Sequence, residues 1–188
     1  MGTGDYGVGR ARFDRGAYVT EATGAPLVGA FPDELVRSVE SGEVDLTDVV
    51  IESTIVMEQR GEVAGVYCRQ GTDTDSDFQH YEFMVRDGYA TIRIADNNVQ
   101  IDVLAETRRL SLPRGEEIAI QATCVGEETR GVDLSLTVDG VLVLQASTDV
   151  VLPGGIVGLL MYPRPGAGEG NASSARFLDF SVSSVRAR

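Results

Sequence analysis

The 188-residue chain carries 29 Asp and Glu against 16 basic residues, a formal net charge of −13, and 43% hydrophobic residues. A chain of this length and composition buries a full core as one domain, 1–188, without depending on cross-links. It has no basic run to release counterions from nucleic acid and no apolar run approaching 18 residues, which excludes nucleic-acid binding and membrane insertion as expectations. All 16 basic residues are arginine, and an acidic surface suits solubility, a cation or a neutral ligand such as a sugar.

The opening MGTGDYG has neither a charged n-region nor an apolar h-region, so no signal peptide is expected; an exported protein would be a mature or excised fragment with an added Met. Gly2-Thr3-Gly4-Asp5-Tyr6-Gly7 matches G-x-G-x-x-G by spacing, but no strand precedes it and no helix follows, so it is a chance match. Residues 1–48 are expected to supply N-terminal strands and loops. A short helix is predicted over 32–41, with Leu35, Val36 and Val39 on one side and Gly42 as its stop.

The core sandwich is expected over 49–185, because the pattern there is alternation broken by tight turns. Val49, Ile51, Ile55 and Met57 alternate with Glu52, Thr54 and Glu58; Ala64, Val66 and Cys68 form the next inward set. Tyr81, Phe83 and Val85 alternate with His80, Glu82, Met84 and Arg86, which places His80 on the outer surface. Asp87-Gly88 then predicts a hairpin with positive φ at both central positions, returning through Ala90, Ile92 and Ile94. Val99, Ile101 and Val103 continue the inward pattern, followed by Ile118, Ile120, Ala122 and Cys124. A second Asp-Gly hairpin, Asp139-Gly140, joins Leu134/Leu136/Val138 to Val141/Val143. The apolar strand Ile156 to Tyr162 and a last strand carrying Leu178, Phe180 and Val182 flank a Gly/Pro/Ser-rich loop, in which Asn171-Ala172-Ser173 matches a glycosylation acceptor. Short strands at close spacing with no long helical stretch predict an all-β, two-sheet antiparallel sandwich.

Two acidic clusters and two cysteines each have a plain and a functional reading. Glu43, Asp45 and Asp48 resemble the E-x-D-x-x-E run of laminarinase-type glycosidases, where alternating acids face one cleft as nucleophile and general acid. The third acid is Asp48, one carbon shorter, and the run precedes a strand instead of occupying its centre, so a solvated acidic lead-in is the expected reading and catalysis the alternative. Asp73, Asp75 and Asp77 alternate in a loop and could converge on Ca²⁺, or simply be solvated; no other cofactor is implied. Cys68 and Cys124 both sit at inward strand positions, as two buried thiols or as one disulfide closing a long loop.

Taken together, Gly65-Val66-Tyr67-Cys68-Arg69, Tyr81-Glu82-Phe83 with Asp87-Gly88-Tyr89, Ala122-Thr123-Cys124-Val125-Gly126, Gly155 to Leu159 and Phe177 to Val182 resemble the concanavalin A-like lectin/glucanase jelly rolls, including laminin-G-like domains. The resemblance covers roughly 48–185 and implies a jelly-roll sandwich. It also implies the Cys68–Cys124 disulfide, since two such cysteines look bonded in actinobacterial versions of the fold. With it comes an extracellular or cell-surface location, on a surface protein. Its precedent places ligands on the concave sheet or a loop rim, nominating Tyr67, Arg69, Tyr81, Glu82 and Arg93, whose plainer role is to cover a sheet. No Trp is present to form a sugar-stacking platform. The implied function is non-catalytic recognition of a glycan or cell-envelope component. The alternatives are a glycoside hydrolase using Glu43, Asp45 and Asp48, or a structural or dimerisation ectodomain without a small ligand.

Overall fold

A computed structural model of the chain describes residues 4–5, 9–14, 17–22, 27–30, 46–70, 79–96, 100–127, 130–152, 155–164 and 172–185. The predicted helix at 32–41, the Asp73/Asp75/Asp77 loop and both Glu43 and Asp45 lie outside them. Every regular element among the described residues is a strand.

Four strands come from the N-terminal region: β1 (Gly4–Asp5), β2 (Gly9–Asp14), β3 (Ala17–Ala22) and β4 (Leu27–Ala30). Then follow β5 (Val49–Met57), β6 (Val63–Gln70), β7 (His80–Arg86), β8 (Tyr89–Asp96) and β9 (Gln100–Thr107). The remaining five are β10 (Glu117–Glu127), β11 (Gly131–Val138), β12 (Val141–Thr148), β13 (Ile156–Tyr162) and β14 (Ser173–Ser184). They form two antiparallel sheets, one of eight strands in the order β1-β2-β3-β14-β5-β10-β11-β12 and one of six in the order β4-β13-β6-β7-β8-β9. Chain neighbours are often not sheet neighbours, as the crossing connections of a jelly roll require. The N-terminal strands divide between the sheets, β3 pairing with β14 and β4 with β13.

The inward alternation holds for most strands. Val49, Ile51, Ile55, Val66, Phe83, Val85, Ile92, Ile118, Ala122 and Leu136 all have zero exposure and share one core between the sheets. That core is stapled by a disulfide between Cys68 of β6 and Cys124 of β10, so the bond joins one sheet to the other. Gly65 shows how tightly β6 and β7 meet: any Cβ there would collide with the Phe83 carbonyl.

The inward pattern fails where bulges change strand parity. Between Ile92 and Arg93 the register on β9 slips by one, pairing Ile92 with Ala105 but Arg93 with Val103. Val103 therefore lies on the outer face with Arg93, 52% exposed, instead of inside as alternation predicts. In β14 Ser173, Ala175 and Phe177 are the buried residues of the first half, and the register slips between Phe177 and Asp179. Phe180 and Val182 pack on the core beyond it, and the predicted inward Leu178 is not part of that set. The hairpins also differ from each other. Asp139 (φ 48°) and Gly140 (φ 76°) are both left-handed, whereas at Asp87-Gly88 only Gly88 is, at 83°. The Gly88 amide is instead held by the Leu110 carbonyl at 2.7 Å.

Candidate ligand groove on the six-stranded sheet

On the face of the six-stranded sheet turned away from the core, the strand registers align Gly158, Tyr67, Glu82, Arg93 and Val103 in one rung across β13, β6, β7, β8 and β9. Three of the five residues nominated from sequence thus stand side by side. Glu82 is the centre of the cluster. Its Oε2 accepts from Arg93 Nε at 2.5 Å, and its Oε1 accepts from Tyr162 Oη at 2.8 Å and lies 3.0 Å from His80 Nε2. The side chain has no exposure at all. A buried carboxylate needs such partners, because an unpaired one would cost several kcal/mol.

The electrostatics follow from that crowding. Burial on its own would raise the Glu82 carboxyl. The His80 hydrogen bond and the Arg93 charge outweigh burial and hold the carboxyl below the usual carboxylate range. Burial and the adjacent Glu82 charge push the Tyr162 phenol well above its ordinary value, so Tyr162 stays a hydrogen-bond donor. Arg93 lies over the Tyr162 ring, its guanidinium carbon 4.7 Å from the centroid, and the rings of Tyr67 and His80 meet at 4.9 Å. His80 is 5% exposed and part of this network, not the surface histidine that strand alternation predicts. Alternation sets only the face a residue occupies; here that face is itself covered, with Tyr67, Met84 and Leu160 buried on it as a second apolar cluster.

The face opens toward the β7–β8 hairpin. There a groove of about 460 Å³ is lined by Val63, Met84, Arg86, Asp87, Gly88, Tyr89, Thr91, Arg93, Val103, Arg108 and Tyr162. Arg86 lies over the Tyr89 ring at 4.9 Å, and the Tyr89 hydroxyl donates to Glu106 at 3.1 Å. The sheet thus presents two tyrosines, each with an arginine stacked on it, beside a rung already ordered by its own hydrogen bonds. Such a surface can place donors and ring faces against a polar ligand with little loss of side-chain freedom.

The other two nominated residues lie elsewhere. Tyr81 points into the core and its hydroxyl donates to the Val150 carbonyl. Arg69 would share the face of Tyr67 by simple alternation. A bulge intervenes, with Arg69 at φ 57° and the β13 register slipping between Ile156 and Gly158. The guanidinium is buried, donating to Asp48 Oδ1 (2.8 Å) and to the carbonyls of Thr47 (2.9 Å), Gly126 (2.9 Å) and Leu152 (3.4 Å). Asp48, the described member of the acidic triplet, also accepts the Gly126 amide at 2.9 Å. Among the described residues no group of three His, Cys, Asp or Glu side chains gathers as metal ligands, and no helix is long and apolar enough to cross a membrane.

Sequence reasoning missed Arg86, Tyr89, Arg108 and Tyr162. Tyr89 and Arg86 flank the Asp87-Gly88 turn, and that hairpin was the available signal. Tyr162 had none, because it meets Glu82 from 80 residues away through the strand order β13-β6-β7.

No protein-family model matches the sequence, and no curated protein matches it as a relative. Solved structures do. The CBM66 carbohydrate-binding module from Bacillus subtilis superposes with a TM-score of 0.58 at 15% identity, over 97% of this chain and 91% of that one. A Bacteroides ovatus GH16 protein from a mixed-linkage glucan locus, in complex with a G4G4G3G product, gives 0.60 at 9% identity, over 95% and 86%. The carbohydrate recognition domain of Emp46p, in its metal-free form, gives 0.56 at 12% identity, over 95% and 87%. With two antiparallel sheets in crossed order and these neighbours, the chain has the concanavalin A-like jelly-roll fold of lectins and glucanases.

Proposed function

We propose that residues 1–188 act as a single non-catalytic recognition domain that binds a glycan in the groove on the six-stranded sheet. One observation carries this reading: Arg93 and Tyr162 are fixed by the buried Glu82 at the edge of an open groove that also holds Arg86 and Tyr89. Forked donors and ring faces held in advance are what a polyhydroxylated ligand requires. The CBM66 carbohydrate-binding module and the Emp46p carbohydrate recognition domain, which share the fold, support it. The inter-sheet disulfide supports a location outside the cytoplasm, where such bonds persist, and hence a cell-envelope or other external glycan as partner.

The test is a glycan array probed with the oxidised domain, followed by titration calorimetry on the best hit. Tyr89→Ala should weaken that binding several-fold while leaving the melting temperature nearly unchanged. An empty array, or a hit that Tyr89→Ala and Arg108→Ala both leave untouched, would overturn the reading.

A further inference from the structure

The groove gathers arginines on an acidic molecule. The chain carries −13 in total, yet the groove is lined by Arg86, Arg93 and Arg108 against one acid, Asp87. Two glutamates behind the lining pair with Arg93 and Arg108, which leaves Arg86 as the lining arginine without a carboxylate partner among the described residues. Glu82 is fully buried and engaged by His80, Tyr162 and Arg93, while Glu106 accepts from Tyr89 and lies 3.6 Å from Arg108 Nε.

The arginines are also posed in a particular way. Arg86 and Arg93 each lay a guanidinium against a tyrosine ring. A guanidinium held over a ring by its charge still has N–H groups to offer an acceptor. Arg93 commits Nε to Glu82, and its Nη2 is buried with no hydrogen-bond partner among the described residues, a donor left for an acceptor that reaches in from the groove. An oxyanion is the acceptor that a guanidinium donor of this kind binds most strongly. Arg86 pairs with Tyr89 and Arg93 with Glu82, so the two arginines stand four residues apart along the hairpin. At about 3.3 Å per residue that is roughly 13 Å, a span that separate charges on a polymer reach and one small anion does not.

We propose that the groove takes an acidic polysaccharide, its carboxylate or sulfate groups received by Arg86 and Arg93, with Arg108 at the margin. This rests on the groove being the glycan site, and the experiment separates the two ideas. Binding is measured by calorimetry against fully de-esterified homogalacturonan, the same polymer fully methyl-esterified, and dextran beside dextran sulfate. The expected result is binding to a charged member of either pair, at least tenfold weaker binding to its uncharged counterpart, and weakening as salt rises. Which pair shows it tells carboxylate from sulfate. Arg86→Gln should lower that binding at least tenfold, Arg176→Gln on the eight-stranded sheet should not, and Arg93→Gln should act like Arg86→Gln. Because Arg93→Gln strips a partner from buried Glu82, Arg86→Gln decides the matter if the other variant fails to fold. Equal binding of charged and uncharged polymers, or binding indifferent to Arg86→Gln, overturns the acidic ligand while leaving a glycan groove standing. No binding to these polymers, together with a neutral hit on the array that depends on Tyr89, overturns it in the same way. An array empty of every glycan overturns both.

Discussion

Replacing Arg69 by Met should cost about 3 kcal/mol of folding stability and leave the proposed groove on the six-stranded sheet unchanged. The side chain is 1% exposed and donates to four acceptors that come from three separate parts of the chain: Thr47 and Asp48 before β5, Gly126 on β10 and Leu152 before β13. Met keeps most of the volume and occupies the same backbone, with no glycine exchanged, so the φ of 57° adds no new strain relative to Arg. What disappears is the guanidinium. Asp48 is left with the Gly126 amide alone, and three carbonyls lose a charged donor. Breaking a buried pair costs about 3–5 kcal/mol. Asp48 is 22% exposed, so water recovers part of that and the lower figure applies. Urea unfolding followed by far-ultraviolet circular dichroism measures it as a lowered midpoint at constant slope. A loss below about 1 kcal/mol at unchanged slope would show that water replaces the guanidinium freely and that Arg69 does not tie these segments together. If the glycan binding proposed above is found, its weakening in a folded Arg69→Met domain would return Arg69 to the proposed site.

Three further outcomes follow from other parts of the fold. Reducing the Cys68–Cys124 bond, which spans 56 residues of sequence, should lower stability by about 4 kcal/mol on the chain-entropy account. Thiol titration of unreduced, denatured protein should find two fewer thiols than after reduction, and equal counts would contradict the bond. Gly65→Ala should abolish stable folding, since its methyl group would occupy the space of the Phe83 carbonyl; Gly140→Asn, at a left-handed position with nothing within 4 Å, should cost well under 1 kcal/mol, and similar melting temperatures for the two would refute the packing argument. On acidification, two buried glutamates act in opposite directions. Glu82 has a lowered folded pKa, so its contribution is present above its unfolded value of about 4.3 and is lost as pH falls through the folded one. Glu62 is raised by burial, against hydrogen bonds from Ser174 and Gln59, so its protonation restores stability as pH falls toward the unfolded value. Melting curves from pH 3 to 7 should therefore show a shallower acid loss for Glu82→Gln and a steeper one for Glu62→Gln. Parallel curves for all three proteins would refute both assignments.

How much of this was legible beforehand depends on range along the chain. Period-2 alternation identified the strands from Val49 onward, and the inward sets Val49/Ile51/Ile55, Ala64/Val66/Cys68 and Tyr81/Phe83/Val85 are buried as alternation requires. The Asp-Gly pairs located both hairpins, because turn chemistry is carried by the two residues that make the turn. Alternation also put Tyr67, Glu82 and Arg93 on outer faces, yet it could not show that strand order would set them in one rung. It misplaced Val103 and Arg69, because a bulge inserts one residue and reverses every side chain beyond it. The sandwich, then, is written locally, in the period and punctuation of each strand. The groove was decided by tertiary structure, since Tyr162, Glu82 and Arg93 meet only through the pairing of β13, β6, β7 and β8, and no residue in a strand encodes which strand will lie beside it.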